Sequence, residues 1–326
     1  MHGTADGGAD EAVTQLVART IAATKTTALI GERGARSRIG GFSLKPPFLF
    51  PLPAALVVLA LAIYPIAYTL IISSRRYDLG LAKYAFVGTD NFTKALSSSQ
   101  FLSAVLRTAG FTALSVVASV ALGMVMAIVL NRDFRGARWA RTAFLLPMVA
   151  TPVATSLVWM MMFNPTLGIL NYVLSIFGLP PLLWVANPTF VIPCLVLVDV
   201  WHSAPFAMII LLAGLRALPR EPVESAMIDG ATRFQIFRLV TLPMLKPVLV
   251  VVLLFRTIDA LKAFDIIWVI TAGGPGTSSE TLYVYAYNQA FKYLDLGYGS
   301  AVIAIFALIV GGASIAWIRA RERQWN

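Results

Sequence analysis

Residues 221–243 read EPVESAMIDGATRFQIFRLVTLP, a charged interval set between two apolar segments. The order of residues predicts a helical hairpin. Glu221 and Glu224 fall in the first turn of a helix over about 221–229, where free N–H groups favour negative charge. Gly230 stands where the chain needs a left-handed residue to close that helix, a conformation glycine adopts without steric cost. Thr232 offers a hydroxyl to cap a second helix, and Gln235 three residues on completes a capping box. Pro243 and Pro247 end the second helix and open the next apolar segment.

The flanking segments are long enough to cross a bilayer. The chain has 326 residues, 58% hydrophobic and 13% charged, whereas soluble domains carry roughly 25% charged residues. Residues 46–74, 108–131, 142–198 and 296–318 contain no Asp, Glu, Lys or Arg. About 20 apolar residues suffice to cross a hydrocarbon core of roughly 30 Å. Six spans are expected, near 48–73, 108–130, 142–163, 190–215, 247–271 and 296–318. An even count puts both termini on one side. With the N-terminus cytoplasmic, eighteen basic residues lie inside and six outside, which is the positive-inside bias of cytoplasmic loops. The net charge of +10 is therefore a topology signal rather than a nucleic-acid footprint. Residues 1–47 are expected to form a mobile cytoplasmic extension, and 319–326 a cytoplasmic tail. The uncharged connection 164–189, with Tyr172, Phe177 and Trp184, is expected in the membrane interface or beneath a docked protein. Cys194, the single cysteine, excludes a disulfide within the chain and a cysteine metal cluster, and reads as a buried structural thiol.

The pattern Glu224-Ser225-Ala226, three residues, Gly230, nine residues, Val240-x-Leu242-Pro243 resembles the signature loop of ABC-transporter permeases, in the form found in maltose-type sugar permeases. Ser225 and Val240 replace the usual alanine and isoleucine. The resemblance extends over 48–318 and includes Tyr64-Pro65 and the Ala272-Gly273-Gly274-Pro275-Gly276 turn. It implies an all-α polytopic membrane protein, with six transmembrane helices of the type I ABC importer permease fold and a coupling loop at 216–246. It also implies a multi-pass protein of the bacterial inner membrane with both termini cytoplasmic. The hairpin would insert into a cleft on an ATP-hydrolysing subunit, with Glu224, Ala226, Met227, Asp229, Gly230, Ala231 and Phe234 at the contact and Ile228 and Phe237 as further apolar anchors. The implied partners are a second, distinct permease subunit, a dimer of ATP-binding subunits, an extracytoplasmic solute-binding protein and a small-molecule cargo. No cofactor is expected in this chain. No Gly-Lys-Ser/Thr follows the glycine-rich turn and no Walker-type element occurs, so ATP and Mg are expected on the partner ATPase and this chain is expected to be non-catalytic.

Ionisable residues inside spans are expensive and default to functional candidates. Asp199, His202, Ser203 and Phe206 lie at offsets of 0, 3, 4 and 7 on one helical face of the fourth span. Arg256, Asp259, Ala260 and Ala263 do the same on the fifth. In the resembled permeases the spans flanking the signature loop line the substrate cavity, which would make these eight residues the pathway wall for a sugar, oligosaccharide or polyol. Trp201, Phe206 or Phe264 would stack on the cargo. A second reading makes Arg256, Asp259, Lys262 and Asp265 a self-neutralising salt ladder. An ion-coupled secondary transporter using the same charges is the alternative function. His202 has no second histidine near it, which argues against a metal site.

Overall fold

The computed structural model describes residues 51–78, 83–132 and 134–322. The extension over 1–47 and the last four residues lie outside the described residues. Thirteen α-helices, one short β-hairpin, a 3-10 turn and two π turns make up the regular structure among the described residues. The spans are α1 (Leu52–Ser73), α3 (Ser99–Leu130), α7 (Val191–Ala217), α10 (Leu242–Leu261) and α13 (Leu296–Glu322), with a broken pair between α3 and α7.

That broken pair is a departure from the straight span expected at 142–163. Helix α4 (Ala137–Val149) and helix α5 (Pro152–Met162) meet at 93°. The cause is local. Pro152 pushes the residue before it out of the helical region, and Ala150 and Thr151 are both extended, with ψ of 141° and 143°. Thr151 then caps α5, its Oγ1 accepting from Ala154 N at 3.4 Å.

The fifth span differs too. Helix α10 stops at Leu261, and α11 (Asp265–Thr271) resumes after a short interruption. At the other end α10 is continuous with the hairpin through a π turn, Phe237–Thr241. Pro243, in the first turn of α10, therefore does not end the preceding helix as expected. A proline needs no partner for an N–H in a helix's first turn. The widened turn before it, in which Leu242 N donates to Phe237 O, carries the helix through.

The connection between the first two spans is more structured than a loop. Strands β1 (Arg75–Asp78) and β2 (Lys83–Phe86) pair antiparallel, with Arg75 opposite Phe86, and α2 (Asp90–Ser97) follows. Asn91 Nδ2 donates to the carbonyls of Ser73 and Arg75, both at 2.9 Å, so this buried amide pins the hairpin base.

The centre of the fold is the pair α3–α7. Along α3 the buried positions Ser115, Ser119, Gly123 and Ala127 recur every fourth residue, a stripe of small side chains that lets two helices approach in lipid. At Gly123 the approach is at its limit, because a Cβ there would sit 2.7 Å from the Ala207 Cβ and 2.9 Å from the Met208 nitrogen. One apolar cluster joins Phe111, Phe163, Leu195, Val198 and Ile267, with Cys194 buried at its edge. A second, toward the 221–243 hairpin, joins Met124, Leu130, Met208, Leu211 and Leu245.

The connection 164–189 is organised around one side chain. Asn171 donates to the carbonyls of Pro165 (2.8 Å) and Leu182 (2.9 Å) and accepts from Leu182 N (3.1 Å) and Trp184 Nε1 (2.7 Å). Helix α6 (Ile169–Ile176) leaves Ile169, Tyr172, Val173 and Ile176 exposed.

Candidate functional site

Two sets of side chains stand out, one on the hairpin and one inside the spans. On the hairpin, α8 (Glu221–Ile228) closes in a Schellman arrangement. Gly230, at φ +79°, donates its N–H to Met227 O at 3.1 Å, and Ala231 N donates to Ala226 O at 3.0 Å. Helix α9 (Arg233–Ile236) opens with the predicted capping box. Gln235 N reaches Thr232 Oγ1 at 3.3 Å, and Thr232 N donates to Gln235 Oε1 at 2.8 Å. Both turns are closed by their own atoms, so the hairpin keeps its shape without a partner.

Its outward face is apolar where solvent would favour polar groups. Ile228 is 87% exposed, Phe234 69% and Met227 58%. Glu224, Asp229 and Gly230 are exposed beside them, while Ala226 and Ala231 are half-buried. The seven residues expected at the ATPase contact thus share one small protrusion. Phe237 does not belong with them: it is half-buried and packs against the second apolar cluster.

Inside the spans, the candidate residues divide into two groups. Arg256 is 1% exposed, and its guanidinium ties three helices together. Nη2 meets Asp199 Oδ2 on α7 at 2.6 Å. Nε donates to Ser119 Oγ at 3.1 Å and Nη2 to Ser115 Oγ at 3.2 Å, both on α3. The Ser115 hydroxyl also donates to Asp199 Oδ2. Nη1 meets Asp259 Oδ2, one turn along α10, at 2.5 Å. Asp199 is 4% exposed, and Ser203 is buried with its hydroxyl on the Asp199 carbonyl at 2.6 Å. Charged groups that are this dry and this fully bonded act as a clamp. Ser115 and Ser119 escaped the sequence reading. Their signal was the four-residue spacing of hydroxyls along an uncharged span.

The second group is open. The Asp259 side chain is 70% exposed. One turn below it Phe255 is 51% exposed and meets Phe206 of α7 edge-on, ring centroids 6.2 Å apart. One turn from Phe206, His202 is half-buried, with its Nδ1 enclosed and without a protein partner. Asp259, Phe255, Phe206 and His202 therefore form a continuous wall across α7 and α10, carrying an acid, an imidazole and two aromatic rings. Ala260 is buried, and Ala263 is half-buried against the first cluster, so neither adds a polar group to this wall.

The salt ladder does not extend beyond its first rung. Among the described residues, Lys262 and Asp265 make no ion pair, and both are exposed. At about 100° per residue, three-residue steps drift around a helix, placing Asp265 opposite Arg256 even on an unbroken one. The other aromatics also separate. Trp201 lines an apolar cavity of about 690 Å³ with Phe144 and Pro147, and Phe264 stacks on Trp268 at 5.7 Å. The glycine-rich turn is tied to α3: Arg107 donates to Glu280 O at 3.3 Å and to Thr277 Oγ1 at 3.2 Å, and Thr108 Oγ1 accepts from Leu282 N at 2.7 Å. Among the described residues no three His, Cys, Asp or Glu side chains converge as metal ligands.

Comparison with known proteins agrees with this architecture. The model of the family described as binding-protein-dependent transport system inner membrane component matches residues 119–321. The trehalose/maltose transport system permease protein MalF of Thermococcus litoralis is 37% identical over 272 residues, covering 83% of this chain and 92% of that protein. The trehalose transport system permease protein SugA of Mycobacterium tuberculosis is 34% identical over 298 residues, covering 91% and 92%. A chain in the crystal structure of a bacterial ABC transporter that imports the acidic polysaccharide alginate superposes with a TM-score of 0.74 at 22% identity, over 85% of this chain and 94% of that one, which establishes a shared fold.

Proposed function

The chain belongs to the binding-protein-dependent transport system inner membrane component family and is a permease subunit of an ABC importer, and from that premise we propose that it forms half of the translocation pathway for a sugar, oligosaccharide or polyol delivered by a solute-binding protein. Family membership sets aside the ion-coupled carrier. The cargo class follows the trehalose and maltose named for its relatives, and the wall across α7 and α10 suits it. An exposed carboxylate, Asp259, offers hydrogen bonds to hydroxyls. Phe255 and Phe206 offer faces or edges to the C–H surface of a pyranose. A charged side chain exposed on a span is tolerated where it meets an aqueous cavity or another protein surface.

The observation that carries the reading is the self-capped hairpin with Met227, Ile228 and Phe234 exposed. In this reading a second, distinct permease subunit supplies the other half, and a dimer of ATP-binding subunits receives both hairpins. ATP and Mg are bound there and not by this chain. The hairpin and both termini face the cytoplasm, where the basic loops of the sequence also fall. Within the contact Glu224 supplies charge, Met227 and Phe234 apolar anchors, and Ala226, Gly230 and Ala231 the close approach, with Asp229 at the helix end.

The test is uptake of radiolabelled trehalose or maltose into proteoliposomes holding the assembled transporter, with binding protein and ATP supplied. Glu224→Lys is expected to abolish uptake and binding-protein-stimulated ATP hydrolysis, while the binding protein's affinity for free sugar stays unchanged. Wild-type uptake by the Glu224→Lys transporter would refute the coupling role.

A further inference from the structure

Behind the hairpin, between it and the ends of the spans, lies a cavity of about 520 Å³. Its polar side holds Asn131 and Arg132, just past the end of α3, and Arg233 of α9. Its apolar side is made by Leu215 near the end of α7, with Ile236 and Phe237. Two guanidiniums from separate elements thus face one space. Neither Arg132 nor Arg233 has an ion pair or side-chain hydrogen bond among the described residues. The cavity sits at the level where α3 and α7 end and α10 begins, which is where a span leaves hydrocarbon for the head-group layer. The outermost residues of the hairpin, Ile228 and Phe234, do not line it.

A cationic side, an apolar side and a position at the head-group level together select an amphiphile with a negative head. We propose that this cavity binds the phosphate of an anionic phospholipid, with Arg132 and Arg233 on the phosphate oxygens and the glycerol backbone against Phe237 and Leu215. Guanidinium suits this role because its fixed fork of N–H donors matches two oxygens of one phosphate. Basic clusters at this depth are drawn to anionic lipid. Because Met227 and Arg233 belong to the hairpin and line the cavity, a bound lipid would brace the hairpin against the spans beside Met227 and leave Ile228 and Phe234 free. The inference rests on the placement of the spans and not on the coupling role of Glu224.

The test uses the full chain purified with the subunits that accompany it, delipidated and followed by native mass spectrometry. Dioleoyl phosphatidylglycerol, dioleoyl phosphatidylcholine and glycerol 3-phosphate are added separately. The expected result is one tightly held phosphatidylglycerol per chain, no comparable retention of phosphatidylcholine, and roughly 30-fold weaker retention in R132Q/R233Q. R135Q/R138Q, which removes one charge from the connection after α3 and one from the first turn of α4 and none from the cavity lining, is expected to bind like wild type. Glycerol 3-phosphate that binds alone and displaces the lipid would support the phosphate site and assign it a water-soluble occupant. Equal retention of the two lipids by the unmodified protein would overturn the proposal without any variant. So would a folded R132Q/R233Q, matched in stability to R132K/R233K, that holds phosphatidylglycerol as wild type does.

Discussion

Replacing Asp199 by alanine strands Arg256, the most deeply buried cation among the described residues. In the native protein Arg256 Nη2 meets Asp199 at 2.6 Å, with both side chains almost wholly dry. After the substitution the guanidinium keeps two seryl hydroxyls and Asp259, whose carboxylate is 70% exposed and shared with solvent. Removing one partner of a buried pair costs about 3–5 kcal/mol, because the remaining charge stays desolvated. Asp259→Ala removes a carboxylate that water already screens, and its expected cost is about 1 kcal/mol or less. Replacing both members of the buried pair, as Asp199→Leu with Arg256→Met, removes the stranded charge and is expected to recover most of the loss. Unfolding in mixed micelles by sodium dodecyl sulfate, followed by tryptophan fluorescence, ranks the three variants. Transport adds a second readout. Asp259→Ala is expected to raise KM for the sugar with stability nearly intact, whereas Asp199→Ala lowers the amount of folded transporter without changing KM. Equal destabilisation by the two alanines would refute the clamp, as would a stable Asp199→Ala protein with altered sugar selectivity.

Two further outcomes follow from close packing and local geometry. Gly123→Val places a branched side chain where even a Cβ would lie 2.7 Å from Ala207, so α3 and α7 must separate; a loss of about 1–3 kcal/mol or more is expected in the same unfolding assay, and unchanged stability would mean the helices do not meet there. Gly230→Ala forces a side chain onto φ +79°, and Thr232→Ala deletes the capping box, each at about 1 kcal/mol; faster proteolysis at 229–233 in both variants checks this, with no change expected in the unfolding of the spans.

How much of this was legible in the sequence depends on how far each determinant acts. Gly230, Thr232 and Gln235 settle the hairpin through contacts a few residues apart, and those were readable in full. The approximate positions of the spans came from composition, most plainly at the four uncharged runs. The break at Ala150–Thr151 hid inside such a run, because hydropathy sums apolar character and carries no direction; its signal was the Thr151-Pro152 step. Asp199 and Asp259 looked alike, as acids on spans with helical neighbours. Only the packing of α3 against α7 and α10 separates them. It brings Ser115 to the inner acid and Ser119 to that acid's arginine, and leaves the outer acid open. Nothing local to either aspartate records that neighbour.

The clamp also bears on how force would pass from the hairpin to the pathway wall. The hairpin joins the end of α7 at Ala217 to the start of α10 at Leu242. Asp199 and Arg256 cross-tie those two helices well above it, roughly 27 Å from Ala217 and 21 Å from Leu242 at 1.5 Å per residue. Two rods joined by a rigid hairpin at one end and by a dry ion pair along their length cannot slide past one another easily. Ser115 and Ser119 extend the tie to α3. A push on the hairpin would therefore tilt α3, α7 and α10 together, and Phe206, Phe255 and Asp259 would move with them. Cutting the tie while keeping the fold, as Asp199→Leu with Arg256→Met is designed to do, is expected to leave ATP hydrolysis running while uptake per ATP falls. If the two remain coupled as in wild type, apolar packing alone carries the motion, and the ion pair is needed only for stability.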